Sequence, residues 1–464
     1  LYTTKESPEN VIRIASVAEA GIEFADNLIT VPVAADGFLI AFGTEEDSWQ
    51  AIAGFRKEGE KWLSARSQRI QSLLDHNPLK TNLDSLDHAL AWIMLTNDQL
   101  ITHQHGGYGM YAGLPWFTDF WGRDMFISMP GAVLCTGQFD TARDILASFA
   151  RYQDTISTSP TYGRVPNRLN LEGILYNTTD GTPRFVMQVH DYLKYTGDTA
   201  FVAEMYPQLL SYYKWWYEKR DHNRNGMCEY GATDGTLEAA AWESGMDNAI
   251  RFDGAVMLKN EGYEDAWSMD QESVDLNAYL ALECKLLKKF SSLLKIPFDA
   301  PDYSSQVADY FFDKNINFFC DRRLKDGSFI EEPGCEAYTP LWTRIATQAQ
   351  VDSMLPMLQD TAKFSTYIPF PTIAADNPKY NPRGYWRGPI WLDQTYFAIR
   401  GLRNYGYNQL ADEYTLQVFD RLSGLKEGAP IHENYGTHTG ERLKAPHFSW
   451  SSSHLLMMYD DYGK

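Results

Sequence analysis

Two acidic residues in separate segments of this sequence have the chemistry of a general acid and a general base. Asp247 lies in the segment WESGMDN, and Glu433 lies in PIHENY between a histidine and an asparagine. At an acetal, a carboxyl group that is held protonated can donate to the departing oxygen, while an ionised one activates water. Each residue alone is an ordinary loop acid, since Asp in a loop is more often a turn former than a catalyst. Together they favour acid–base chemistry at an acetal.

An aromatic loop, GLPWFTDFWGRDMF, lies upstream and has the side chains to bind a sugar. A tryptophan ring stacks on the C–H face of a sugar, and a neighbouring carboxylate accepts two of its hydroxyls. The alternative is that Asp124 only stabilises the start of a helix through the helix dipole. The candidate substrate-binding residues, in this loop and in three later tryptophan-containing segments, are Trp116, Phe117, Trp121, Arg123, Asp124, Trp242, Glu243, Trp386, Arg387, Trp391 and Trp450.

A further segment, DHNRNGMCE, has the beginning of a calcium-binding loop. Oxygen-bearing side chains occupy positions 1, 3 and 5, glycine occupies position 6 and glutamate position 9. Position 12 is Ala232, so the bidentate glutamate of an EF-hand is missing and another carboxylate must come from elsewhere. The alternative is an Asx-rich turn that ends the preceding helix.

Composition and absent motifs exclude several classes of function. The chain has 464 residues and a net charge of −20, which disfavours nucleic acids and anionic membranes as partners. Its 44% apolar residues can form a large core, and no apolar run reaches the roughly 18 residues of a membrane span. No HExxH, Walker or GxSxG motif occurs, and no GxGxxG follows a strand, so we expect no organic cofactor. We expect a soluble protein of the cytoplasm or periplasm, monomeric or a small homo-oligomer.

The five cysteines are too few for a disulfide scaffold. Cys320 and Cys335 lie fifteen positions apart on either side of a turn-like segment. They form either a bridge across that segment or two buried thiols, and the sequence leaves both open.

The elements that must position these residues are mainly helices. Residues 1–46 alternate and are rich in Val, Ile and Phe, which predicts a few strands, and residues 47–80 predict a linker helix. Residues 81–464 contain consecutive helix pairs joined by long loops and show no repeat period, which favours an (α/α)6 barrel over a helical array. The predicted helices in this part cover residues 84–104, 122–136, 138–153, 183–196, 199–220, 268–292, 302–317, 346–361, 389–404, 407–423 and 449–460.

The motif-bearing segments resemble glycoside hydrolase family 63, a group of processing and bacterial α-glucosidases. The most specific are YWRGPIWLDQTYFAIRGLRNYGY and PIHENYGTHTGERLKAPHFSWSSSHLLMMY; GLPWFTDFWGRDMFIS, GRVPNRLN, DHNRNGMCEYGATD, WESGMDNA and DQESVD share the likeness. The likeness spans about residues 105–460, and its first part also resembles the glucosidase region of glycogen-debranching enzymes. By this resemblance, residues 1–46 correspond only to the tail of the family's N-terminal β-sandwich.

The resemblance implies an inverting glycosidase that releases terminal glucose from α-glucosides or oligosaccharides on an (α/α)6 barrel. It makes Asp247 the general acid and Glu433 the general base, and inversion predicts a carboxyl separation of about 6.5–9.5 Å, with room for water. Trp121 and Asp124 match residues that hold the non-reducing sugar. Bacterial members carry calcium in the loop, which implies a structural Ca²⁺ bound by Asp221, Asn223, Asn225, the Met227 carbonyl, Glu229 and, in place of a position-12 glutamate, Glu272.

Other functions stay open at this point. A trehalase or an amylo-α-1,6-glucosidase would share the ESGxD and GLPWF-type loops on the same barrel. A non-hydrolytic sugar epimerase is a different class, but it is expected to use paired histidines. A silent sugar-binding protein is expected to have lost one of the two acids, and both are present. The sequence does not show which glycosidic linkage is cleaved or which aglycone is released, because both depend on loops 155–182 and 363–388.

Overall fold

The chain divides into two compact units, Leu1–His76 and Asn77–Lys464. Within them, the computed structural model describes residues 2–3, 9–25, 28–30, 32, 37–76, 80–104, 107–159, 161–170, 173–179, 184–260 and 266–464. No helix in these ranges is both long enough and apolar enough to cross a lipid bilayer.

The first unit combines short antiparallel strands with one long helix. Its strands are β1 (Tyr2–Thr3), β2 (Asn10–Ser16), β3 (Glu23–Ala25), β4 (Leu28–Thr30) and β5 (Phe38–Thr44), and its helix is α1 (Glu45–His76). Strand β2 pairs with β1 and with β5, while β3 pairs with β4. The alternation along β5 leaves Phe38, Ile40 and Phe42 57–64% exposed, because so small a sheet cannot cover both of its faces.

The second unit is mainly helical, as the sequence predicts. Its helices are α2 (Asp84–Leu100), α3 (Gly122–Met129), α4 (Phe139–Arg151), α5 (Phe185–Thr196), α6 (Thr199–Lys219), α7 (Leu237–Ser244), α8 (Val274–Leu294), α9 (Val307–Phe311), α10 (Tyr338–Trp342), α11 (Gln348–Leu358), α12 (Leu392–Asn404), α13 (Asn408–Arg421) and α14 (Ser449–Asp461). A π-helical turn, Pro130–Leu134, continues α3, and 3-10 turns cover Ile250–Phe252 and Cys335–Ala337.

Short strands lie in the loops between these helices. They are β6 (Ile101–Gln104), β7 (Gly107–Met110), β8 (Phe120–Trp121), β9 (Arg168–Asn170), β10 (Gly173–Leu175), β11 (Gly231–Ala232), β12 (Met257–Lys259), β13 (Trp267–Met269), β14 (Gln271–Glu272), β15 (Phe312–Asp313), β16 (Phe318–Phe319), β17 (Arg322–Arg323), β18 (Asn434–Tyr435) and β19 (Arg442–Leu443). Two three-stranded sheets have the orders β10-β9-β8 and β11-β13-β12, and the other strands form pairs. These ladders stiffen the loops by satisfying their backbone groups.

Six helices of the second unit contact one another in a closed cycle, which we call the helix ring. Its order is α3, α5, α8, α10, α12, α14 and back to α3. Further helices pack against members of the ring: α2 against α14, α4 against α5, α6 against both α5 and α8, α9 against α8, and α13 against α12. Ring helix α12 is buried on nearly all sides, since 11 of its 13 residues are buried.

Most predicted helices agree with the structure to within a few residues. Helices α7 and α10 are absent from the prediction because helices of one or two turns are too short to show a hydrophobic period. The predicted helix 302–317 contracts to α9, since its last residues extend into β15. Helix α1 covers most of the predicted linker 47–80 and belongs to the same compact unit as the strands. Cys320 and Cys335 are two separate buried thiols.

Candidate active site

The segments before and within three ring helices, α3, α12 and α14, enclose much of a cavity of about 270 Å³, which we call the catalytic cavity. Two further segments complete its wall, one from the last turn of α7 to Asp247 and one between residues 167 and 178. Nine of the site residues predicted from the sequence line it: Phe117, Trp121, Arg123, Asp124, Trp242, Asp247, Trp386, Glu433 and Trp450. Both candidate catalytic acids therefore line the same cavity.

Asp124 lies in the first turn of α3, three residues after Trp121. Its side chain is buried, and its Oδ2 lies 3.9 Å from Nε of Arg123. Burial raises the pKa of Asp124 to about 6, although Arg123 lowers it, and the nearby Glu433 and Asp247 raise it as well. Arg123 also donates from Nη1 to the Trp242 carbonyl at 2.5 Å. Three carboxyls thus interact electrostatically within the cavity.

Asp247 follows α7 on a tight turn at Gly245. Gly245 has a φ of 79°, and a Cβ there would lie 2.9 Å from Cδ of Arg123, so the turn requires glycine. Burial raises the pKa of Asp247, opposed by the positive charge of Arg123. No other residue in the described ranges donates a hydrogen bond to its carboxyl. An acid in this setting favours the protonated form, as a proton donor to a leaving group must.

Glu433, directly before β18, is buried and well supported. Tyr385 Oη donates to its Oε1 at 2.6 Å, and the backbone N–H of Ala445 donates to its Oε2 at 3.2 Å. Its backbone is fixed as well, because its N–H donates to the Ala445 carbonyl at 2.8 Å and its carbonyl accepts from Ser451 Oγ at 3.0 Å. Burial raises the pKa of Glu433, and the two donors to its carboxyl lower it. These donors favour the ionised form, which a general base requires.

Tyr385 is not among the site residues that the sequence predicts, although it precedes Trp386 in the YWRGPIW segment. Its φ of 67° lies in the left-handed region, an uncommon conformation for a residue with a large side chain. The turn is held by Trp391, whose Nε1 donates to the Tyr385 carbonyl at 3.0 Å. Burial and the charge of Glu433 raise the pKa of Tyr385, so its hydroxyl keeps its proton and donates to the carboxylate.

Three tryptophans pack together at the floor of the cavity. Trp386 stacks on Trp391 at a centroid distance of 4.1 Å and an interplanar angle of 12°, and Trp450 contacts Trp391 edge-on at 5.1 Å. Trp386 and Trp450 line the cavity, whereas Trp391 is not part of its lining and supports them from behind. Trp116, by contrast, is 62% exposed and lies outside the lining.

Two further predicted residues make ion pairs outside the cavity lining. Glu243 is fully buried, pairs with Arg220 at 3.2 Å and accepts from the backbone N–H groups of Thr179 and Gly231. Arg387 forms a two-point pair with Asp253 at 2.7 and 3.0 Å. Both therefore have protein partners and hold neighbouring loops together.

Several lining residues come from segments whose individual side chains the sequence does not single out. Asn167 and Arg168 belong to the GRVPNRLN segment, and Phe448 precedes α14. Asn177 and Thr178 lie in the same long loop as Asn167. The sequence signal for Asn167, Arg168 and Phe448 is the family resemblance of their segments. Asn177 and Thr178 lie outside those segments and have no such signal, because amides and hydroxyls in loops are common.

The calcium-like loop, 221–229, contributes nothing to the lining of the catalytic cavity. Asp221 Oδ2 accepts from the N–H of Gly226 at 2.9 Å, and Glu229 Oε2 accepts from the N–H of His222 at 3.0 Å. The other carboxyl oxygen of Asp221, Oδ1, is buried and has no hydrogen-bond partner among the described residues.

Glu272 faces this loop from strand β14. Its Oε1 accepts from Asn223 Nδ2 at 3.0 Å and from Asn225 Nδ2 at 2.6 Å. The asparagine oxygens accept from backbone N–H groups two residues on, including that of the buried Met227, as in Asx turns. Within the described ranges, no group of three His, Cys, Asp or Glu side chains is arranged to hold a metal ion by itself.

A mainly helical unit whose loops bring carboxyls and tryptophans to one cavity defines a class, the helical enzymes that act on sugars. The family model of the mannosylglycerate hydrolase MGH1-like glycoside hydrolase domain matches residues 150–451. Mannosylglycerate hydrolase MGH1 of Selaginella moellendorffii is 22% identical over 55% of this chain and 60% of its own length. Mannosylglycerate hydrolase of Thermus thermophilus is 23% identical over 54% of this chain and 69% of its own length.

Solved structures share the fold. The crystal structure of a family 63 mannosylglycerate hydrolase from Thermus thermophilus in complex with glucose superposes with a TM-score of 0.61. The two sequences are 18% identical, and the superposition covers 79% of this chain and 99% of the other. The chain belongs to the MGH1-like glycoside hydrolase domain family, within glycoside hydrolase family 63.

Proposed function

We propose that the chain hydrolyses a terminal α-linked sugar from the non-reducing end of a small glycoside, with inversion at the anomeric carbon. The observation that carries this proposal is the contrast between two carboxyls in one cavity. Glu433 receives two hydrogen bonds that favour its charged form, whereas Asp247 receives none from other described residues. This contrast fits an ionised base and a protonated acid.

In the proposed mechanism, Trp121 stacks against the terminal sugar and Asp124 accepts hydrogen bonds from its hydroxyls. Asp247 donates its proton to the glycosidic oxygen as the C–O bond breaks. Glu433 takes a proton from a water molecule, whose oxygen attacks the anomeric carbon from the opposite face. Tyr385 keeps the carboxylate of Glu433 oriented toward that water. We propose an (α/α)6 barrel as the scaffold, which the closed helix ring and the helices packed against it support.

Glucose is the sugar that we propose. The family resemblance of the motifs points to α-glucosides, and the Thermus relative has been solved in complex with glucose. A second candidate substrate is mannosylglycerate, on which the named relatives act. Arg168 favours this candidate, since it lines the cavity and its guanidinium lies 5.2 Å from the ring centroid of Trp121. Its Nη1 is 3.6 Å from Oδ2 of Asp119, so a glycerate carboxylate would share the guanidinium with that side chain.

We also propose a structural Ca²⁺ in the calcium-like loop. Asp221, Asn223, Asn225, the Met227 carbonyl, Glu229 and Glu272 offer only oxygen ligands, which suits a hard cation. The unpartnered Oδ1 of Asp221 fits this proposal, because a buried carboxylate oxygen without a donor is costly unless a cation faces it. The ion would neutralise three acids and fix the end of α6, with no part in the reaction.

The test is a panel of substrates in matched pairs. It contains α-linked glucose disaccharides including trehalose, and α-glucosyl and α-mannosyl units each on glycerate and on uncharged glycerol. NMR of the first product formed should show the β-anomer of the released sugar. An α-anomer first would contradict inversion, and sugar epimerisation or binding without hydrolysis would favour the non-hydrolytic alternatives.

The glycerate and glycerol pairs decide between the candidate substrates. If the aglycone is glycerate, kcat/KM on the glycerate glycoside should exceed that on the glycerol glycoside, and Arg168→Gln should remove most of the difference. If the aglycone is uncharged, Arg168→Gln should change both values by the same factor.

A further inference from the structure

Two more cavities follow the catalytic cavity through the helix ring. The axial cavity, of about 20 Å³, shares four lining residues with the catalytic cavity: Arg123, Gly245, Trp386 and Trp450. The basal cavity, of about 390 Å³, shares Ile127 and Arg184 with the axial cavity. The three cavities are therefore neighbours in series.

The basal cavity lies on the axis of the helix ring, at the end away from the catalytic cavity. All six ring helices contribute to its lining, and α3, α12 and α14 do so through residues nearer their C-terminal ends. The catalytic cavity is bordered instead by the N-terminal ends of α3 and α14 and by Tyr385 and Trp386 in the loop before α12. The side chains of Lys194 and Asp460, which also line the basal cavity, are 57% and 44% exposed, so this end is open to solvent.

Side chains along this series contain buried polar atoms that have no hydrogen-bond partner among the described residues. In the axial cavity these are Nε1 of Trp386 and Trp450, Oδ1 of Asp393 and Oε1 of Gln394. In the basal cavity it is Oε1 of Gln188. Buried polar atoms in folded proteins are paired, and where protein partners are missing, ordered water supplies them. The axial cavity exceeds the roughly 10–15 Å³ that one water needs.

Arg184 lies where the axial and basal cavities meet. Its guanidinium is surrounded by the rings of Tyr279, Trp342 and Phe397, and Nη2 donates to Tyr279 Oη at 2.9 Å. Within the described ranges, it has no carboxylate within 4.0 Å. A guanidinium has five N–H donors, so those left over need acceptors, which water in either cavity provides.

We propose that ordered water fills the axial and basal cavities as one file, and that this file exchanges water with the floor of the catalytic cavity during turnover. The exchange rests on the proposed function, because hydrolysis consumes one water in each cycle. A sugar that enters the cavity also displaces water while it closes the mouth. The file gives displaced water an exit, and gives replacement water an entry, through the solvent-open basal end.

The first test needs no activity. A crystal structure of the full chain, at a resolution that shows ordered water, should contain waters bonded to Asp393 Oδ1, Gln394 Oε1 and Gln188 Oε1. A second crystal under xenon pressure should leave both cavities free of xenon, since xenon enters dry apolar cavities. Xenon or a bound organic molecule in either cavity, or density empty of water, would overturn the file. Because this result does not depend on catalysis, a water file in an inactive protein would refute only the proposed function.

The second test closes the basal end. Cys135 lines the basal cavity and is half-buried, whereas the other four cysteines are buried. Burial raises the pKa of the Cys135 thiol to about 11, so labelling needs alkaline pH and long exposure. A benzyl methanethiosulfonate adduct on Cys135 should lower kcat by at least about threefold and leave KM unchanged, because water exchange becomes slow.

The matched control is Cys135→Ala treated with the same reagent, which should keep the rate of the untreated enzyme. A smaller methyl adduct on Cys135 should have a lesser effect than the benzyl adduct. Equal kcat for the benzyl-labelled and unlabelled enzymes, with unchanged melting temperature, would overturn the exchange.

Discussion

Two groups of carboxyls in the helical unit differ in what surrounds their oxygens. In the catalytic cavity, Asp247 has no donor from another described residue. In the calcium-like loop, Glu272 accepts from two asparagine side chains and from Tyr310 Oη at 2.6 Å. The first group faces an open cavity lined by aromatic rings, whereas the second is enclosed by its own loop and β14.

Burial does not distinguish these groups. It raises the pKa of Asp124 and Asp247 in the cavity, and it raises the pKa of Asp221 and Glu229 in the loop. The difference between Asp247 and Glu272 lies in their partners, because a carboxyl that lines a cavity without donors from other described residues is available to a substrate. Glu272, whose oxygens are already bonded to the loop and to Tyr310, serves the fold.

The largest effect is expected from the two acids that define the catalytic side of this contrast. Asp247→Asn and Glu433→Gln should each lower kcat by about 10³-fold, as loss of a general acid or base does. Their melting temperatures should change little. The matched control for Glu433→Gln is Glu427→Gln, which makes the same change at an exposed position after α13. Hydrolysis near the wild-type rate by either variant, measured by release of sugar, would refute the assignment.

A smaller loss is expected from Tyr385→Phe, which removes one donor from Glu433 and keeps the ring. A hydrogen bond to a charged group is worth about 1.5–3 kcal/mol, which corresponds to about a 10- to 100-fold lower kcat. Because that bond lowers the pKa of Glu433, its loss should also move the acidic limb of the kcat/KM profile to higher pH. Tyr380→Phe, outside the cavity lining, is the control, and an unmoved acidic limb would contradict the role of Tyr385.

The role of the calcium-like loop is tested by measuring the stability of the fold. If Ca²⁺ binds the loop, free Ca²⁺ at about 100 times its Kd stabilises the fold by about 2.7 kcal/mol, so EDTA should lower the melting temperature. Asp221→Asn should start from the lower temperature and respond to neither EDTA nor Ca²⁺. The kcat of wild type should be the same before and after chelation, provided that the assay temperature is well below melting. If EDTA leaves the melting temperature unchanged, the loop is an Asx turn and not a calcium site.

The sequence predicts the helices well because long amphipathic segments with caps are local signals. Asp247, Glu433 and Trp121 stand out because acids and tryptophans are rare together in Gly- and Pro-rich loops. The sequence cannot show that the hydroxyl of Tyr385 reaches Glu433. The two residues are 48 positions apart, and Tyr385 has a left-handed backbone conformation that no local pattern predicts. The sequence also cannot show which acids already have partners.

Glu243 illustrates that second limit. It lies only four residues before Asp247 in the same tryptophan-containing segment, so both look equally available in the sequence. In the structure, Glu243 is on the buried side of α7, where Arg220 and two backbone N–H groups occupy it, whereas Asp247 lies beyond the glycine turn and lines the cavity. Side-chain direction at the end of a short helix depends on tertiary contacts that no local pattern contains.

The smallest expected effect is the change in folding stability when Asp124 is replaced. Its sign is opposite to that expected for the loop acid Asp221 in the presence of Ca²⁺. The pKa of Asp124 is about 6 in the folded chain, against an ordinary 3.8, so the folded state binds more protons and stability falls as pH rises from about 4 through about 6. Asp124→Asn should therefore stabilise the protein by about 1–2 kcal/mol at pH 7 and by much less at pH 4, while it weakens sugar binding. Thermal melts at the two pH values measure the difference. Asp221→Asn in the presence of Ca²⁺ should destabilise at neutral pH; if both variants shift stability in the same direction, the distinction between cavity acids and loop acids fails.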